Sequence, residues 1–173
     1  MRHTFLLSVL LLTTACTTPP KKCPEVKQAI DEQAPELKIG PNDDQATINI
    51  KSYEETQYWK EKMNKRLATI RSIYDKADWF EPKQKVLFFK NLDASQKAFE
   101  TYVKAQVELQ YPEDEWTGSG IPLCINSTYT KYYKQRYFDL ELWEKGTPKG
   151  EMCGGTALTQ YELEELSARK KSP

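Results

Sequence analysis

Histidine is nearly missing from these 173 residues. The only one is His3, inside a leader-like stretch expected to be removed. A chain without histidine builds neither a Ser-His-Asp nor a Cys-His nucleophile pair, and no His-ligated zinc site. Net charge is missing too: 25 basic residues balance 25 acidic ones. Nucleic-acid binding needs a basic face, so that class is not expected. No Cys-x-x-Cys occurs, which argues against a thiol redox motif. No apolar run is long enough to span a bilayer. Paired carboxylates remain available for acid–base work, but with 25 acidic residues such pairs arise by chance. A glycan hydrolase on that basis is a minor reading, and the expectation is a non-enzyme without metal or cofactor.

What is present is amphipathic helix. From Pro82, suited to a first helical turn, Val86, Phe89, Leu92, Phe99, Val103 and Val107 recur at helical spacing. They predict a helix of about eight turns, ended by Pro112. Gln96 interrupts its apolar stripe. Before it, Ser52 with Glu55 reads as a capping box, followed by Trp59, Met63, Leu67, Ile70 and Tyr74 on one face. The short break 75–81 makes an antiparallel hairpin of the two. A third helix is expected from about Pro122 to Glu144, carrying Tyr129, Tyr132, Tyr133, Tyr137, Leu140 and Trp143. Ala46–Ile50 alternates as a short extended piece would, and Thr159 with Glu162 caps a last short helix. The fold expected is all-α: a hairpin plus third helix in a small, disulfide-supported bundle.

The N-terminus reads as an address. Residues 1–12 carry a short positive region and an eight-residue apolar run, too short to cross a membrane. Leu12-Thr13-Thr14-Ala15-Cys16 resembles a bacterial lipobox, although Thr13 stands where Leu is usual. That resemblance implies cleavage before Cys16 and lipidation there; several acyl chains anchor firmly where one does not. Thr17, rather than Asp, follows the cysteine, which implies the periplasmic face of the outer membrane. Without residues 1–15 the chain loses Arg2, leaving 24 basic and 25 acidic side chains.

Cys23, Cys124 and Cys153 remain for an oxidising compartment, where an odd count leaves one unpaired. Cys124–Cys153 would close a loop of about 30 residues and stabilise by roughly 3 kcal/mol. Pairings of Cys23 with either would fasten the N-terminal arm instead. The expected segments are 1–15 signal peptide, 16–51 tether and arm, 52–144 helical domain, and 145–173 tail with a short helix.

The stretch from about Tyr53 to Leu140 resembles the LprI-type lysozyme inhibitor N-terminal domain family. The resemblance rests on Met63-Asn64-x-x-Leu67, Ser95-Gln96-x-Ala98-Phe99-x-x-Tyr102, Gly118-Ser119-Gly120, Cys124, and Arg136 with Leu140. Met63 stands for the usual Leu, Phe99 for Trp and Val103 for Arg. The cysteine that usually partners the loop-flanking one is missing, and Cys153 is the candidate to replace it for Cys124. By this resemblance Asn64, Leu67, Gln96, Phe99, Tyr102, Arg136 and Leu140 are structural motif residues. Gln96, interrupting an apolar stripe, is expected to hydrogen-bond a neighbouring helix or loop, with Asn64 on the facing helix as its counterpart. It also implies lysozyme as partner. A lysozyme cleft holds two catalytic carboxylates. The loop Glu113–Gly120 is the candidate to enter it: Glu113, Asp114 and Glu115 steering toward a basic surface, Gly118, Ser119 and Gly120 approaching closely. The competing reading is an envelope adaptor lipoprotein that binds another periplasmic protein through its helical face.

Overall fold

The first helix, α1 (Gln45–Lys76), is 32 residues long, about 48 Å at 1.5 Å per residue. The computed structural model describes residues 37–112, 115, 117–151 and 153–169. After α1 come α2 (Pro82–Gln110), α3 (Ile121–Asp139), the five-residue α4 (Glu141–Lys145) and α5 (Gln160–Arg169). Cross-helix contacts give their directions. Tyr74 meets Phe88 and Met63 meets Gln96, so α1 and α2 are antiparallel. Phe99 meets Tyr133 and Ser95 meets Arg136, so α2 and α3 are antiparallel as well. Hence α1 and α3 run parallel, joined along a long seam from Asn49–Asn126 to Arg66–Tyr137. The all-α architecture and the hairpin agree with the sequence reading.

The start of α1 does not agree. Asp44 is the N-cap, accepting from the Thr47 N–H at 2.8 Å, and residues 46–50 are helical rather than extended. Ser52 lies inside the helix, 1% exposed, its hydroxyl donating to the Asn49 carbonyl at 2.8 Å. The reason is on α3. Gln45, Asn49, Ser52 and Thr56 continue the Trp59–Met63–Ile70–Tyr74 stripe at spacings of three and four, but with polar side chains that find polar partners. The Asn126 amide donates to Ser52 Oγ at 3.0 Å, and the hydroxyls of Thr56 and Thr130 meet at 2.9 Å inside the bundle.

Helix α2 begins at Pro82 as expected, with the Glu81 N–H donating to the Gln84 side chain at 3.2 Å. Its buried residues are Phe88, Leu92, Val103 and Val107. Val86 is 70% exposed, so the stripe runs through Phe88 and not Val86. The physical reason is the aromatic cluster at the turn. Phe88 stacks on Tyr74 (4.2 Å, 10°) and meets Trp143 at 5.7 Å.

The third helix does not continue to residue 144. It breaks at Leu140, which is 1% exposed, and α4 veers off. That turn carries Glu144 to Arg66 (Nε–Oε2 2.5 Å) and Trp143 to the cluster. Arg66 is 9% exposed, stacks 3.7 Å over the Tyr137 ring and donates to the Tyr137 carbonyl. A buried cation needs such compensation.

The chain then returns. Thr147 and Thr159 form a parallel bridge, and the buried Leu158 N–H donates to the Tyr74 hydroxyl at 2.9 Å. Thr159 and Glu162 exchange hydrogen bonds at the head of α5, as the capping box predicts.

The Cys124–Cys153 disulfide is not formed: both cysteines are free and exposed. Cys124 lies in the first turn of α3. Cys153 lies in the segment that follows α4, beside Gly154 and its contact with Thr147. The part of α3 beyond Cys124, about 22 Å long, runs between Cys124 and the end of the bundle where the chain continues to Cys153, whereas a disulfide needs Cα atoms within about 7 Å. Cys16 and Cys23 lie outside the described residues, as do the lipobox and any pairing of Cys23.

Candidate functional site

Two regions gather the residues that the sequence singled out. The first is the end of the bundle where α1 and α3 start. Glu113 and Asp114 lie outside the described residues. Of the rest of the loop, Glu115, Thr117, Gly118 and Ser119 are exposed. Gly118 has φ +144 with nothing within 4 Å of a would-be Cβ, a conformation that favours glycine. Its carbonyl accepts from the Ile121 N–H at 3.2 Å, which starts α3 together with Gly120 as N-cap. The loop is also tied across to α1. The Asn49 amide donates to the Ser119 carbonyl at 2.8 Å, and Gln45 donates to Asn49 at 3.0 Å. Asn49 is the residue sequence reasoning missed. Its signal was its place on the α1 stripe, hidden because the residue is polar. From Ser119 the hydrogen bonds continue through Asn49, Ser52, Asn126 and Thr56 to Thr130. The loop is therefore anchored to a buried polar seam.

The second region is the α2–α3 seam. Here the structure brings together Ser95, Phe99, Arg136 and Leu140, four residues of the resemblance. Arg136 Nη2 donates to Ser95 Oγ at 2.8 Å, and the guanidinium lies 5.5 Å from the Phe99 ring. Burial lowers the Arg136 pKa from its ordinary value, and Asp139 offsets this only in part. Gln96 faces α1, donating to Glu100 at 3.1 Å and reaching Met63 Sδ at 3.8 Å. Asn64 is exposed, so the two amides do not meet. Leu67 is half-buried against the core. Tyr102, 52% exposed, packs edge-on to Tyr132.

Residues 40–140 match the family of lysozyme inhibitor LprI, more than half of the chain. The chain belongs to the LprI family. The match spans α1, α2 and α3 and stops at the Leu140 break, so both regions fall within it, while α4, α5 and the return segment lie beyond. No curated protein and no solved structure matches the chain. An inhibitor family fits a protein whose work is binding. Among the described residues, no group of three His, Cys, Asp or Glu is placed to hold a metal, and no helix is long and apolar enough to cross a membrane.

Proposed function

We propose that this LprI-family protein is a lysozyme-inhibitor-like binding protein of the bacterial envelope, carried on a lipid at Cys16 on the periplasmic face of the outer membrane. In this reading residues 1–15 are a signal peptide and 16–51 begin as a tether; the helical body placed at 52–144 from the sequence takes in the start of α1 at Gln45 as well, and 145–173 complete it. The loop Glu113–Gly120 enters the lysozyme cleft. There the Ser119 hydroxyl hydrogen-bonds the protonated catalytic carboxyl, Gly118 and Gly120 let the backbone approach, and Glu113, Asp114 and Glu115 steer the encounter with a basic enzyme surface.

The observation that carries the loop assignment is the Asn49–Ser119 hydrogen bond. It holds an exposed glycine–serine turn against a rigid helix, and a loop fixed before binding loses less entropy on docking. The test is lysis of cell walls by lysozyme in the presence of residues 17–173. Slower lysis, lost when residues 118–120 are scrambled, is the expected result. Full lysis at large molar excess rejects the inhibitor reading, and inhibition that survives the scramble rejects the loop alone.

A second reading, an adaptor that binds another envelope protein through its helical face, draws on Tyr102 and Leu109, which stand 52% and 73% exposed on α2. Crosslinking at Tyr102 in cells, with a partner other than lysozyme recovered, would favour it.

A further inference from the structure

Between the α1–α2 turn and the α2–α3 seam lies a cavity of about 500 Å³, within the range of roughly 300–1,000 Å³ typical of small-molecule sites. Its walls are largely apolar, Phe88, Leu92, Leu140 and Trp143 among them, with Gln84, Asn91 and Thr156 adding polar groups at its edge. Leu87, 56% exposed, marks its solvent side. Among the described residues Arg136 is the one charged residue that lines it, and Ser95 stands beside it. The Arg136 Nε is buried and has no hydrogen-bond partner among the described residues. Its bond to Ser95 Oγ and its stack on Phe99 supply no anion, and Asp139 acts on its charge without an ion pair and compensates the burial only in part. Buried donors left unpaired are costly, and arginine presents a planar fork that matches a carboxylate. A guanidinium without an ion pair on a largely apolar wall therefore asks for a ligand with one anionic head and a greasy body.

We infer that the cavity lined by Arg136, Ser95, Phe88, Leu92, Leu140 and Trp143 binds a small monocarboxylate with an apolar body, of the short fatty-acid or aryl-acid class. The carboxylate pairs with the Arg136 guanidinium where it lines the cavity, while the chain lies against Phe88, Leu92 and Trp143. This site is separate from the Glu113–Gly120 loop and stands or falls independently of lysozyme inhibition.

The test uses the full chain with Cys16→Ser, titrated by calorimetry with octanoate, octanol and octylamine. Octanoate is expected to bind saturably and at least about tenfold more tightly than octanol, a difference of one charged pair, with octylamine binding more weakly still. Arg136→Gln brings octanoate down to the octanol level. Leu87→Glu, at an exposed position that the fold does not need, repels the carboxylate and weakens octanoate at least tenfold. Scrambling residues 118–120 leaves octanoate binding unchanged. Equal binding of octanol and octanoate, wild-type affinity in both variants, or no saturable octanoate binding at millimolar concentration overturns the proposal. A peptide ending in a free carboxylate that binds more tightly than octanoate overturns the small-acid assignment.

Discussion

The hydroxyl of Tyr74 accepts the backbone N–H of Leu158 at 2.9 Å, 84 residues away. One fully buried side chain thus joins the first helix to the segment that closes the chain. The same ring stacks on Phe88. Removing the hydroxyl alone strands a buried N–H, which costs about 1–3 kcal/mol. Tyr74→Phe should lower stability by that amount in urea unfolding, and Tyr74→Ala by about 3–5 kcal/mol, as for other buried aromatics.

Burial also pushes the Tyr74 phenol above its ordinary value, the Leu158 N–H acting the other way and Glu162 adding to the rise. Tyr133 is raised too, by burial first and then by Tyr129 and Glu100. A group whose folded pKa lies above its unfolded value favours the folded state while it stays protonated. That contribution is whole below the ordinary value of 10.0 and disappears as the pH climbs through the raised folded value. The protein should therefore lose stability steeply above pH 10.0, and Tyr74→Phe should lose less over the same interval. Urea midpoints across alkaline pH provide the check.

Thr56 and Thr130 share a hydrogen bond inside the bundle. Thr56→Val leaves the Thr130 hydroxyl short of that partner and removes the bond to the Asn126 carbonyl, so it should cost about 1–3 kcal/mol. Thr56→Val combined with Thr130→Val should recover the part owed to the stranded Thr130 hydroxyl, because two apolar groups of similar shape can replace a buried polar pair nearly neutrally, while the lost Asn126 bond remains a cost. A double-mutant cycle on thermal unfolding reads the coupling.

Gly146 has φ 79 and ψ 166, a region open essentially to glycine alone. A Cβ there would meet the Leu158 carbonyl at 2.8 Å. Gly150 shares a positive φ but has open space around it. Gly146→Ala should destabilise by more than about 2 kcal/mol, and Gly150→Ala by clearly less. Melting temperatures of the two variants decide it.

Asn49→Ala removes the bond to the Ser119 carbonyl and leaves Gly118–Gly120 in sequence. With a net hydrogen bond at about 1 kcal/mol, inhibition of lysozyme should weaken roughly fivefold, with the helical circular dichroism unchanged. Unaltered inhibition would show that the Asn49 anchor plays no part in binding.

Hydropathy spacing made part of this fold readable. Trp59, Met63, Ile70 and Tyr74 are buried where their periodicity put them, Pro82 opens α2, and Thr159 with Glu162 heads α5. The method reads only apolar residues, however. Asn49, Ser52 and Thr56 occupy core positions on the strength of partners on α3, and nothing local marks a polar residue as paired from afar. Phe88 displaced Val86 because an aromatic cluster at the turn rotated the stripe. The Leu140 break has neither glycine nor proline to announce it; it follows from the pull of Arg66 on Glu144 and of Tyr74 on Trp143. In the candidate site, Ser95, Phe99, Arg136 and Leu140 were visible as a motif, but the cavity that Ser95, Arg136 and Leu140 edge was not, since Phe88 and Trp143 come from elements that meet only in three dimensions.

Tyr74, finally, sits inside the family-matched residues, while Leu158, which caps it, sits outside them. A fragment trimmed to the match would unroof the aromatic nest at that end, baring oily rings to water and inviting the molecules to stick together. Anyone preparing this protein for crystals or for binding work should keep the stretch through α5 as a lid.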